Sequence, residues 1–244
     1  MLASSAKVLG EVEIRQLFER ETSTYTYLLV DGGEALLIDP VMETRERDLK
    51  LVRELGLTLR YVVETHIHAD HVTSAHFLCQ ETGASLCAGA RGSDKRSVTL
   101  TEGALLSLGD ADLRVLETPG HTDDSVSLYS EGEAAVFTGD ALLIRGCGRT
   151  DFQNGDAGVL FDSVTGKLFT LPAVTRVYPA HNYAGLPYSS IGEEQRLNPR
   201  FSGQSREAFI ALMHKLQLPP PARIEMSVPA NVRAGRIEST DWQI

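Results

Sequence analysis

The run "ETHIHADH" (residues 64–71) puts three histidines, an aspartate and a glutamate into eight positions of a chain that has seven histidines in all. It grows out of "LRYVVET" (59–65), whose apolar and β-branched residues read as a buried strand. The same event recurs further along. "DLRVLET" (112–118) runs into "PGHT" with His121, "AAVFTG" (134–139) into Asp140, and "TRVYPA" (175–180) into His181. Taken singly, a histidine at a strand end is ordinarily a hydrogen-bonded turn or surface residue, and His76 and His214 are read that way. Four segments that each deliver imidazole or carboxylate at the end of an apolar strand are different. Strand ends on one sheet edge can converge on a cleft, and neutral imidazole with carboxylate is a donor set for a divalent transition metal.

The surrounding pattern sets the architecture. "VEIRQLF" (12–18), "TYTYLLV" (24–30) and "ALLID" (35–39) read as strands, with "DGG" (31–33) as a hairpin turn. "ETRERDLKLVRELG" (43–56) places Leu49, Val52 and Leu55 on one helical face and ends in glycine. "HVTSAHFLCQETG" (71–83) reads as a helix closed by Gly83. "SVSLYS" (125–130) is a further strand. Helices are expected over 157–170 and 205–216, and "LPPPA" (218–222) stops the last of these and begins an extended tail. Strands followed closely by helices suggest an α/β fold, an αβ/βα sandwich of two mixed β-sheets flanked by helices.

Composition bounds the function. Hydrophobic residues make up 42% and charged residues 23%, as in an ordinary globular protein. The net charge of −10 argues against nucleic acid as a partner. No apolar run has the length of a membrane span, and "MLASSAKVLGEVEIRQ" lacks the continuous apolar core of a secretory signal. Three cysteines, Cys79, Cys87 and Cys147, form no CxxC, which fits a reducing compartment.

"THIHADH", "PGHT", "TGD" and "PAH" resemble the ordered motifs of the metallo-β-lactamase superfamily, which hydrolases, nucleases and oxygenases share. A finer likeness lies in "FTGDALLIRGCGRTDFQ" (137–153), "IDPVMET" (38–44), "NPR" (198–200) and "VPANVRAG" (228–235). Together these resemble the persulfide dioxygenases, also called sulfur dioxygenases, from about residue 14 to about residue 235. The resemblance implies one metallo-β-lactamase-like domain over 1–244, with 184–244 as a C-terminal extension packed on it. It implies a homodimer in the cytoplasm of a bacterium, or in the mitochondrial matrix of a eukaryote.

It also implies one Fe(II) per chain, held by His66, His121 and Asp140, and oxidation of glutathione persulfide by O2 and water to glutathione and sulfite. Two histidines and a carboxylate leave one face of the metal open. Zinc is redox-inert, whereas putting oxygen onto sulfur needs a metal that exchanges electrons with O2. His71, His181 and Tyr183 are expected to act in catalysis, with His68 and Asp70 standing behind the ligands to orient them. Glutathione carries two carboxylates, so Arg145, Arg149, Tyr183, Asn231 and Arg233 are the expected substrate contacts. Cys147 is expected to pack, although "GCG" beside a persulfide makes sulfur exchange conceivable. Asn182 stands where relatives often carry an acidic residue, and an amide would anchor that loop only in part. Two competing readings share the motifs: a glyoxalase II-like thioester hydrolase with two metals, and a catalytically silent binding module.

Overall fold

The computed structural model describes residues 12–216 and 218–236. The N-terminal stretch read for a signal, apart from its last residues, and the end of the C-terminal extension lie outside them. The first half of the chain makes one six-stranded sheet, with strands adjacent in chain order: β1 (Glu13–Glu19), β2 (Thr24–Asp31), β3 (Glu34–Ile38), β4 (Thr58–Glu64), β5 (Ser85–Gly89) and β6 (Val98–Leu100). The second half makes another: β7 (Leu105–Leu108), β8 (Ala111–Glu117), β9 (Val126–Ser130), β10 (Ala135–Gly139), β11 (Arg176–Pro179) and β12 (Ser189–Ser190). Both sheets are mixed. β3, β4, β5 and β6 run parallel, as do β10 and β11, while β1–β2–β3 and β7–β8–β9–β10 are antiparallel.

Alternation along the strands explains the layering. Tyr27, Leu29, Leu36, Ile38, Phe137 and Tyr178 face the core between the sheets. Their neighbours Leu28 and Leu37 point the other way, onto α1 (Arg45–Glu54) and α2 (Ala75–Thr82). Val136 and Val177 likewise face α3 (Ala157–Gly166) and α5 (Arg206–His214). Strands buried on both faces read as unbroken apolar runs, which is how the central strands look in the sequence. The result is the expected αβ/βα sandwich. No helix among the described residues is long and apolar enough to cross a membrane.

Several boundaries differ from the sequence reading. The helix expected from His71 begins at Ala75, because Val72 and Thr73 instead lie alongside Val41, through bonds such as Met42 N–H to Val72 O at 2.8 Å. The helix over 157–170 breaks at Gly166 into a short 3-10 turn over Leu168–Thr170. Strands β5, β6 and β7 and helix α4 (Ile191–Leu197) were not anticipated. The tail after "LPPPA" is not extended: it forms α6 (Ile224–Val232), with Pro229 inside it. That helix buries Ser227, Ala230 and Asn231, and Arg223 before it pairs with Glu21 and Glu43. Tertiary packing here outweighs the local signal of the prolines.

Candidate metal centre

Every strand end singled out in the sequence arrives at one place. The loop after β4 brings His66, His68, Asp70 and His71 from the first sheet. The loop after β8 brings His121, the turn after β10 brings Asp140, and the segment after β11 brings His181, all from the second sheet. Donor atoms of His66, His121 and Asp140 lie within 4.8 Å of one another. Two further groupings meet the same limit, His68–Asp70–His71 and Asp39–Glu64–His68. Only the first set lies wholly in the wall of a cavity, about 410 Å³, that His66, Asp70, His121, Asp140, Cys147, Arg149, Phe152, Gln153, His181, Tyr183 and the strap Leu218–Pro221 help to line.

The imidazoles are prepared for that task. Arg149 O stands 2.6 Å from His121 Nδ1, and Thr65 Oγ1 stands 3.0 Å from His66 Nδ1. Engaging Nδ1 leaves Nε2 as the donor in each ring, the arrangement typical of a metal-bound histidine. Burial, reinforced by the imidazoles of His68 and His121, holds the His66 pKa well below its ordinary value, so the ring is neutral. Asp140 is held ionised: burial would raise its carboxyl, but the charge and the hydrogen bond of His181 outweigh that and pull it down. A β-carbon at Gly148 would fall 2.6 Å from His121 Nδ1 and 2.7 Å from Asp140 O, so only glycine lets this loop close over both groups. Two imidazoles and one carboxylate, with Nδ1 tied back and a cavity in front, fit a divalent metal with open positions.

His181 is differently placed. Its Nδ1 lies 2.7 Å from Asp140 Oδ1 and its Nε2 lies 2.9 Å from Asp70 Oδ2. Burial opposes a charge on this ring, yet the two carboxylates raise its pKa well above the ordinary value. His181 is thus an imidazolium strut between Asp140 and Asp70. His71 sits beneath, fully buried, with Nδ1 3.1 Å from Asp70 Oδ2. It does not line the cavity, so a part for it in catalysis would run through Asp70. His68 is also fully buried behind His66, its Nε2 3.2 Å from Asp39 Oδ1 and 3.8 Å from Glu64 Oε2. Burial would lower its pKa, but those acids push it up.

The expected substrate contacts scatter. Tyr183 stacks on His181, ring centroids 6.2 Å apart and nearly parallel, and lines the cavity mouth at 78% exposure. Arg149 lines the cavity, but its guanidinium already bonds both oxygens of Asp151 at 2.7 Å, Pro219 O at 2.6 Å and Leu218 O at 3.2 Å. Arg145 turns away into α4, where it pairs with Glu193 and the buried Glu194 and donates to Ser189. Asn231 is 1% exposed and bonds only backbone of the histidine loop. Arg233 is half-buried at the end of α6 and donates to Arg236 O at 3.4 Å. Arg145, Asn231 and Arg233 do not line this cavity. Asn182 meets the full demand put on it, since its Oδ1 accepts from Ala184 N at 2.9 Å and Leu186 N at 2.8 Å.

Sequence reasoning missed the clamps around the loop. Asp124 Oδ2 accepts from Ile67 N at 2.9 Å, and Gln153 Nε2 donates to Ile67 O at 2.6 Å. Asn198 Nδ2 donates to Gly146 O at 2.9 Å, which accounts for the "NPR" signature beside "IRGCG". Those motifs were visible, but their partners were not.

Known proteins resemble the chain throughout. The profile of the Metallo-beta-lactamase superfamily matches residues 20–94 and 88–181. "Persulfide dioxygenase ETHE1, mitochondrial" of Mus musculus is 47% identical over 96% of this chain and 91% of its own. The Homo sapiens protein of the same name is 46% identical over 91% of this chain and 88% of its own. The crystal structure of ETHE1 from Myxococcus xanthus superposes with a TM-score of 0.90 at 50% identity, covering 92% of this chain and 100% of that one. With the strand-end cluster, the cavity and these likenesses together, the chain belongs to the persulfide dioxygenase family of the metallo-β-lactamase superfamily.

Proposed function

We propose that this chain is an iron-dependent persulfide dioxygenase. The reaction is oxidation of glutathione persulfide by O2 and water to glutathione, sulfite and two protons. The observation that carries the reading is the His66–His121–Asp140 set in the cavity wall, in a chain so similar to named persulfide dioxygenases. His66, His121 and Asp140 would hold Fe(II), which supplies the electron exchange with O2 that zinc cannot. Asp140 and Asp70 are kept ionised and oriented by the His181 imidazolium between them. Tyr183 offers a phenol at the mouth. Phe152, Leu218, Pro219 and Pro221 wall the cavity with apolar surface and keep water from the reacting sulfur. Among the described residues, four of the five N–H groups of Arg149 find partners, and the fifth, on Nη1, is the one proposed to meet a carboxylate of glutathione. A homodimer, in the bacterial cytoplasm or the mitochondrial matrix, belongs to the same proposal, and light scattering reads out the assembly.

The test is O2 uptake by anaerobically iron-loaded protein given glutathione persulfide. Uptake matched by sulfite is expected, at about one iron per chain, with His66→Ala, His121→Ala and Asp140→Ala each losing the metal. Rapid hydrolysis of S-D-lactoylglutathione without O2 uptake would sink the reading in favour of a thioester hydrolase.

A further inference from the structure

The loop carrying the histidine cluster, between the end of β4 and the start of α2, has no regular hydrogen bonding of its own, although it is buried. Its backbone groups must find partners elsewhere. Those of Ile67 are taken by Asp124 and Gln153. The next three belong to a residue some 160 positions away. Asn231 donates from Nδ2 to His68 O and to His71 O, each at 2.8 Å, and its Oδ1 accepts from Thr73 N at 2.9 Å. Both amide protons and the amide oxygen are thereby used.

The rest of the α6 terminus follows the same surface. Ala234 O accepts from His76 N at 2.9 Å. Gly235, at φ +81°, lies so close that a β-carbon would fall 1.8 Å from Thr73 O. The end of the C-terminal helix is thus moulded onto the loop.

We propose that Asn231 is a positioning residue for the metal centre, its amide fixing the loop backbone that aims His66 and His71. It does not touch substrate. The carboxamide is matched to two carbonyls and one N–H. Aspartate is nearly isosteric and keeps the acceptor for Thr73, but it sets an anion against two buried carbonyl oxygens. The inference rests on the metal reading of His66, His121 and Asp140 and is independent of the reaction assigned to it.

The test is cobalt(II) titration of the metal-free full chain, followed by its visible ligand-field spectrum, alongside steady-state kinetics of the iron-loaded protein. Asn231→Asp is expected to weaken cobalt binding about 10- to 100-fold, the usual effect of losing a partner that orients metal ligands. The spectrum should change shape, and kcat should fall with KM unchanged. Should Asn231→Asp fail to fold, Asn231→Ser, which removes both amide N–H donors and leaves only a shorter hydroxyl without adding charge, carries the same expectation. Ser93→Ala removes a bond to Val232 O on the same helix, 2.9 Å long, that does not reach the loop, and it should bind cobalt like wild type. Wild-type affinity and spectrum in the Asn231 variants would overturn the assignment, as would an equal loss in Ser93→Ala, which would trace the effect to helix packing. A wild-type chain that binds no cobalt would overturn the metal reading itself, an outcome distinct from both.

Discussion

Cys147 lies between two glycines in the cavity wall, and its chemistry is decided by its surroundings. Its Sγ packs 3.9 Å from Met213 Sδ, and burial pushes the thiol pKa up to about 12. The nucleophile in sulfur exchange is the thiolate, and at pH 8 only about one thiol in ten thousand would be ionised on that scale. We therefore expect Cys147 to resist iodoacetamide in the folded protein and Cys147→Ala to keep its iron and at least half of its activity. Rapid alkylation, or loss of turnover with iron retained, would restore a chemical role. At this scale the sequence was legible wherever chemistry follows directly from position along a strand. His66, His121, Asp140 and His181 could be gathered because each ends an apolar run. Partnerships were not legible. Arg145 and Asn231 look like substrate contacts in isolation, and the sequence gives no sign of the partners they take within the chain, Glu194 for one and the His68–Thr73 backbone for the other.

The elements that escaped the sequence reading are those without a local signature. β6 has three residues and β12 two, too short to show alternation, and α6 carries a proline that reads as a breaker. They exist because neighbours supply their partners: Arg176↔Ser190 for β12, and the loop backbone for α6. The strap Leu218–Pro221 is a comparable case. Its carbonyls are held by Arg149, whose guanidinium also lies over Phe152, 4.4 Å from the ring centroid. Lysine cannot reproduce a planar fork that bonds two carboxylate oxygens and two carbonyls at once. Arg149→Lys should therefore loosen the strap and raise KM about tenfold while kcat changes less than twofold, a loss of binding shared by ground and transition states. Steady-state kinetics decide it. A fall in kcat at constant KM would mean that Arg149 acts through its backbone bond to His121 instead.

Across the whole molecule, each half of the chain builds its own sheet, and the halves meet over one apolar core. Phe137 lies in that core at 1% exposure, its ring 5.0 Å from Tyr27 and 5.3 Å from Tyr178, on the strand that leads into Asp140. Phe137→Ala should cost about 3–5 kcal/mol and leave urea unfolding a single transition, because the core is shared. Two separated transitions, or a loss below about 1 kcal/mol, would show that the sheets are held independently. The site has the same bipartite origin, with His66 from the first sheet and His121 and Asp140 from the second. An ion bound by all three is a rivet through both halves, and a state binding only when folded gains about 2.7 kcal/mol at a hundredfold excess of free ion over its dissociation constant. Folding and metal supply then become one equilibrium. A chain short of the ion would therefore open more often and offer itself more readily to proteolysis.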